Sequence, residues 1–232
     1  MQPRLLCAAL ALITTCATPA IANNHFRFSD EAQRAEREAR ESREDREDRI
    51  ADKLSTPCRA ELKNKKIMVI IGERRSNGII YAEQRNYGRH YEAINQRLKA
   101  LGLRTYTPEE IRRQIAQAEI EAQFRNDPDA ALSASKRLGA NFILRGLISS
   151  QAQRNPMMNV NQVSVSMGFT LTASDGRQVG TADARDASYA GADVSGMALT
   201  LVNEQADEIV ASLYADYCRH AGYAPASRPK RK

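Results

Sequence analysis

The residues in this chain that could do chemistry are few and scattered. His25, His90 and His220 share no HxH or HExxH spacing, so no histidine-based metal site is expected. There is no G-x-S-x-G elbow, no P-loop and no G-x-G-x-x-G. Asp183 and Asp186 flank Arg185 in a strand-like stretch, which reads as an exposed ion-paired face before it reads as a carboxylate dyad. Arg145 stands in an apolar run, where an arginine snorkels to water, pairs with an acid or holds an anion. The densest surface candidate is "RRSNGIIYAEQRNYGRHYE", which combines Arg74, Arg75, Arg85, Arg89 and His90 with Tyr81, Tyr87 and Tyr91. It follows a first strand, the place where open α/β sheets bind ligands. Tyr87 and Tyr91 fit the core stripe of the next helix, which leaves the five basic residues as the expected partner-binding surface. No catalytic residue, cofactor or metal ligand is assigned.

The cysteines depend on where the chain travels. "MQPRLLCAALALITTCATPAIANN" has a positive Arg4, an apolar run from Leu5 to Ile13 and a small-x-small Ala20-Ile21-Ala22. That is the layout of a signal peptide over 1–22, cut after Ala22, and it predicts a periplasmic protein. Cys7 and Cys16 would leave with it, so two of the 4 cysteines, Cys58 and Cys218, remain. One such pair in an oxidising compartment is expected to form a disulfide. Closing a loop of about 160 residues is worth about 4–5 kcal/mol in the chain-entropy model. Cys16 raises the rival of lipid attachment, but Thr15 stands where lipoproteins usually carry Gly, Ala or Ser. No later stretch approaches the roughly 20 apolar residues of a membrane span. The net charge of +6 then predicts anionic envelope polymers, membrane surfaces or acidic proteins as counter-charges instead of nucleic acid.

These residues must be positioned by the elements around them. Residues 23–57 form a charged arm, with Arg34, Arg37, Arg40, Arg43, Arg46 and Arg49 spaced by three and acids between them. The i,i+3 and i,i+4 pairs favour a solvated helix, and the absence of an apolar face leaves a disordered tether open. The globular part is expected over 58–222, followed by a basic disordered tail over 223–232. "KKIMVIIG" is apolar in both phases, as in a strand covered on two faces. Tyr87, Tyr91, Ile94, Leu98 and Leu101 give a helix that stops at Gly102, and "LRTYT" a short strand. Thr107-Pro108 with Glu110 opens a helix whose stripe is Ile111, Ile115, Ala118 and Ala122. Asp127-Pro128 opens another, with Leu132 and Leu138 inward and Gly139 at its end.

"NFILRGLISS" is a further strand with apolar residues in both phases, and Gly146 within it predicts close packing or a bend. Residues 162–173 alternate cleanly between apolar and Ser/Thr/Gln, which predicts one wet face. Asp175-Gly176 predicts a hairpin turn. The returning strand changes phase between Ala184 and Ala187, which predicts a bulge near Arg185-Asp186. From Asp193 a long helix carries Ala198, Val202, Ala206, Ile209, Leu213 and Tyr217 on one side and reaches Cys218. The order β-α-β-α-α-β-β-β-α predicts an α/β domain around a mixed four- to five-stranded sheet, in two or three layers.

Four stretches from Lys66 to Tyr217 carry a resemblance: "KIMVIIG", "EAINQRLKALGLRTYTPEEI", "SASKRLGANFILRGLISS" and "FTLTASDGRQVG". They are similar to the periplasmic domains of the curli-assembly lipoprotein, of the outer-membrane activator of penicillin-binding proteins and of the Tol translocation protein's amino-terminal part. The resemblance implies a non-enzymatic adaptor of the bacterial envelope that binds another envelope protein. The alternatives that the sequence leaves open are an exported enzyme acting on a wall or anionic substrate through acids such as Glu73, Asp183 and Asp186, and a lipid-anchored subunit of an outer-membrane assembly.

Overall fold

The computed structural model of the chain describes residues 28–74, 80–81, 89–122, 124, 133 and 136–224. The chain divides into two compact units, Met1–Glu41 and Ser42–Lys232. The expected signal peptide, with Ala22 and Cys16, lies outside the described residues. So do Tyr87, the helix start at Asp127-Pro128 with Leu132, and the tail from residue 225.

The charged arm is helical: α1 spans Phe28–Leu54, with Asp30 and Glu31 in its first turn and Lys53 in its last. That polarity suits the helix dipole at both ends. In the first unit every residue from Asp30 to Glu41 is exposed, so this helix is held by its own i,i+3 and i,i+4 charge pairs. In the second unit the end of α1 is fastened to the last helix, α6 (Val194–His220). Arg49 Nε donates to Glu208 Oε1 at 3.1 Å, and Lys53 Nζ to Ser212 Oγ at 2.8 Å.

Short α2 (Arg59–Leu62) leads into β1 (Lys66–Arg74), then β2 (Ile80–Tyr81), α3 (Arg89–Ala100) and β3 (Arg104–Thr105). Next come α4 (Pro108–Gln114) and α5 (Gln117–Ala122). The long strands β4 (Phe142–Asn155), β5 (Val160–Ala173) and β6 (Gln178–Ala190) precede α6. The sheet is mixed, in the order β2-β1-β4-β5-β6, with β3 also paired to β1. β1 and β4 are parallel, and β4, β5 and β6 form an antiparallel meander. The chain therefore has the expected α/β class, with the two-residue β2 added to the expected strands.

Both phases of β1 are apolar because helices cover both faces. Ile67, Val69 and Ile71 join Ile94, Leu98, Val202 and Ile209 of α3 and α6. Met68 and Ile70 join Ile111, Ile115 and Ile120 on the other side. Among the described residues only α6 covers the sheet at β5 and β6, and Val163, Val165, Met167 and Phe169 are buried while Gln162 and Ser164 stay exposed. The described residues thus form three layers at β1 and two at β6.

Several local expectations hold. Thr107 and Glu110 form the capping box, through Glu110 N–H to Thr107 Oγ1 at 3.2 Å and Thr107 N–H to Glu110 Oε2 at 2.8 Å. Gly139 ends a helical turn at φ 62°. Gly146 serves close packing: a Cβ there would lie 2.7 Å from Phe169 Cδ1.

Two expectations are corrected. The bulge is not at Arg185-Asp186: the register breaks where Leu171 pairs Gly180 and Thr172 pairs Gln178, so Val179 is the extra residue. Beyond it the strand keeps one phase, with Asp186 and Ala190 turned inward and Ala187 and Tyr189 turned to water. The helix from Pro108 also does not run through to Ala122. It breaks at Ile115, which is extended (φ −125°, ψ 125°), and Ile120 in the following helix is buried.

Cys58 and Cys218 are bonded, with Cα atoms 5.7 Å apart and both residues fully buried. Tyr214 reinforces the junction: its hydroxyl donates to the Thr56 carbonyl and accepts the Cys58 N–H at 3.4 Å.

Candidate functional site

β1 ends six residues before β4 does in register, and the difference creates a groove. Arg74 is opposite Ser149, so β4 continues from Ser150 to Asn155 with β5 as its partner. The inner face of that extension forms one wall through Ser150 and Ala152, with Val163 of β5 behind them. The end of β1 and the start of α3 form the other wall through Glu73, Arg74 and His90. The groove holds about 660 Å³ and is open to solvent. His90 is fixed in it by a 2.9 Å hydrogen bond between Nδ1 and Glu73 Oε1. A wall that carries Arg74 beside the Glu73–His90 pair, facing a small polar and apolar wall, can hold an extended polar segment.

Of the five basic residues expected to bind a partner, Arg74 and His90 line this groove, and Arg89 is exposed at the first position of α3. Arg75 and Arg85 lie outside the described residues. Tyr91 points into the core, as expected of a stripe residue, and its hydroxyl donates to the Tyr106 carbonyl at 3.0 Å. Burial, with the nearby glutamates adding to it, raises its phenol far above the ordinary range.

The acids do not converge. Asp183 is exposed on the outer face of β6, whereas Asp186 points inward and accepts from Gln205 Nε2 at 2.6 Å. Glu73 pairs with His90 three strands away, about 14 Å by strand spacing. Among the described residues no three His, Cys, Asp or Glu side chains gather into a metal site. His220 closes α6, its Nδ1 2.9 Å from the Asp216 carbonyl oxygen. Arg145 is half-buried on the face it shares with Ile143.

The sequence reasoning missed the wall made by Ser150, Ala152 and Val163. The sequence carries little signal for it: residues 149–155, SSQAQRN, are polar apart from Ala152 and show no apolar alternation that would extend the strand past Ile148. A strand that outruns its parallel neighbour leaves a step in the sheet.

No known protein family matches the chain, and no curated protein does. Among solved structures, a hypothetical protein from Chlamydia trachomatis is 16% identical, covers 68% of this chain and 99% of its own, and has a TM-score of 0.45. A minor lipoprotein from Acinetobacter baumannii is 13% identical over 72% of this chain and 99% of its own, at 0.39. The C-terminal domain of LpoB from Salmonella enterica is 14% identical over 57% of this chain and 94% of its own, at 0.34. At these scores the likenesses carry no assignment of function. Among the described residues no helix is long and apolar enough to cross a membrane.

Proposed function

We propose that the chain is a non-enzymatic interaction module of the bacterial envelope, exported to the periplasm and cut after Ala22. It binds another envelope protein through the groove at the end of β1. The observation that supports this most is that Arg74 and His90, expected as contacts from their sequence position, line one open groove with Glu73, Ser150 and Ala152. The buried Cys58–Cys218 bond suits an oxidising compartment. Arg75, Arg85 and Arg89 are the further contacts expected of the same partner.

A photo-crosslinking residue at Gln151, which also lines the groove, tests the reading in the exported protein. One discrete adduct with an envelope protein is expected, lost on Arg74→Glu with His90→Ala. An unchanged adduct, or none from a folded protein, overturns the reading. Mass spectrometry of the mature amino terminus tests the export route: Asn23 as first residue is expected, and a lipid-modified Cys16 overturns it.

A further inference from the structure

Past Ser149 the sheet narrows to a tongue of β4, β5 and the end of β6. Six further residues carry β4 to Asn155, about 20 Å beyond the end of β1. The tip is Pro156-Met157-Met158-Asn159. Met157 is 94% exposed and Met158 53%. Exposed single apolar residues are ordinary, but two adjacent methionines at the end of a projecting hairpin are not.

The turn is built without either methionine side chain. Asn155 Oδ1 accepts the N–H groups of Met157 and Met158 at 3.0 and 3.2 Å. Asn159 N–H donates to the Asn155 carbonyl at 2.9 Å, and Arg154 Nε donates to Asn159 Oδ1 at 2.9 Å. Asn159 takes a positive φ of 54°, which asparagine tolerates. The turn is thus preorganised by asparagines, and the methionines are free to be presented outward.

The residues behind the tip indicate what receives it. From Ser149 to Val163 the only charged residue is Arg154, and no carboxylate occurs. Tyr189, 51% exposed on the outer face, is opposite Gln162, two residues behind the tip row Asn155–Val160. That is a setback of about 7 Å. The profile along the tongue is therefore apolar at the end, then a cation, then an amphipathic aromatic. Water–bilayer interfaces have the same order: the acyl boundary takes the apolar groups, and headgroups take Arg and Tyr.

We propose that the β4–β5 tip is a shallow membrane-contact site, in which Met157 and Met158 enter an anionic lipid surface with Arg154 and Tyr189 at headgroup level. The site is separate from the groove and stands or falls independently of the partner proposed there. Two methionines and one cation give weak, reversible adhesion, since even a single acyl chain is only a marginal anchor.

The chain contains no tryptophan, so Met157→Trp creates a single fluorescent reporter at the tip. With vesicles of phosphatidylcholine and phosphatidylglycerol, its emission is expected to shift to the blue and to be quenched by brominated acyl chains. A control Gln178→Trp, exposed at the other end of β6, is expected to stay unshifted. Met157→Asp with Met158→Asp is expected to lower vesicle partitioning at least tenfold, and Arg154→Ala about fivefold, the worth of one surface cation. An unshifted Met157→Trp spectrum at saturating vesicles overturns the proposal. So does full partitioning of the double aspartate variant, or a shift that only an added envelope protein produces.

Discussion

The two ends of this sheet are built to opposite rules. At one end Cys58, Cys218 and Tyr214 converge, helices cover both faces of β1, and Phe169 fills the space above Gly146. At the other, β4 runs from Ser150 to Arg154 with every residue exposed, and its tip is held by asparagine hydrogen bonds. The same strand, β4, serves both ends. What changes is its neighbours: β1 accompanies residues 142–149, while among the described residues β5 alone accompanies the rest. Burial of a strand is thus set by where the adjacent strand stops, and side-chain pattern follows.

If the contrast is sound, stability is concentrated at the closed end. The largest loss is expected on replacing Cys58 and Cys218 together by Ser, about 4–5 kcal/mol for a sequence separation of 160, seen as a lower urea midpoint. Gly146→Val comes next, because its side chain must displace the Phe169 ring; about 3 kcal/mol is expected from overpacking. The matched change on the same strand, Ala152→Val, is expected to stay within about 0.5 kcal/mol because Ala152 is exposed. Equal losses at 146 and 152 would break the comparison.

Smaller effects sharpen it. Arg97 fastens α3 to α6 through both oxygens of Asp207, at 2.7 and 2.8 Å, and through the Asn203 carbonyl at 3.0 Å. Asp207 is half exposed, so Arg97→Ala is expected to cost only about 1 kcal/mol by thermal melting. The smallest effect concerns the end of α1. Burial pushes the Glu208 carboxyl up, but the Arg49 hydrogen bond and the Lys53 and Arg49 charges win, so its pKa lies below the ordinary 4.5. The folded form therefore gains from ionised Glu208 above pH 4.5 and loses that gain as pH falls through the lowered value. Amide exchange of residues 49–54 is expected to quicken across that range, and Glu208→Gln to remove the pH dependence.

How much of this was readable in the sequence follows the same division. The closed end is readable because covered strands must be apolar in both phases, as "KIMVIIG" and "NFIL" are. Capping residues such as Thr107 and Glu110 act within one turn, so their spacing suffices. The groove was not readable, since its walls come from strands whose relative lengths only pairing sets. Asp186 misled for a related reason. It looks like a surface acid until the inward phase of β6 places it beside Gln205, a contact across the sheet–helix interface. Val179 escaped notice because a bulge beside the Asp175-Gly176 turn leaves the alternation after it intact.

The disulfide has a mechanical consequence. Cys58 stands four residues after the end of α1, and Cys218 sits near the end of α6. A pull between the charged arm and the carboxy-terminal end is therefore carried across one covalent bond. The sheet and its helices lie inside the closed loop and bear none of the tension. In the oxidised protein, whatever hangs from either end can be tugged without shearing β1 from β4, and reduction would put the load on their hydrogen bonds.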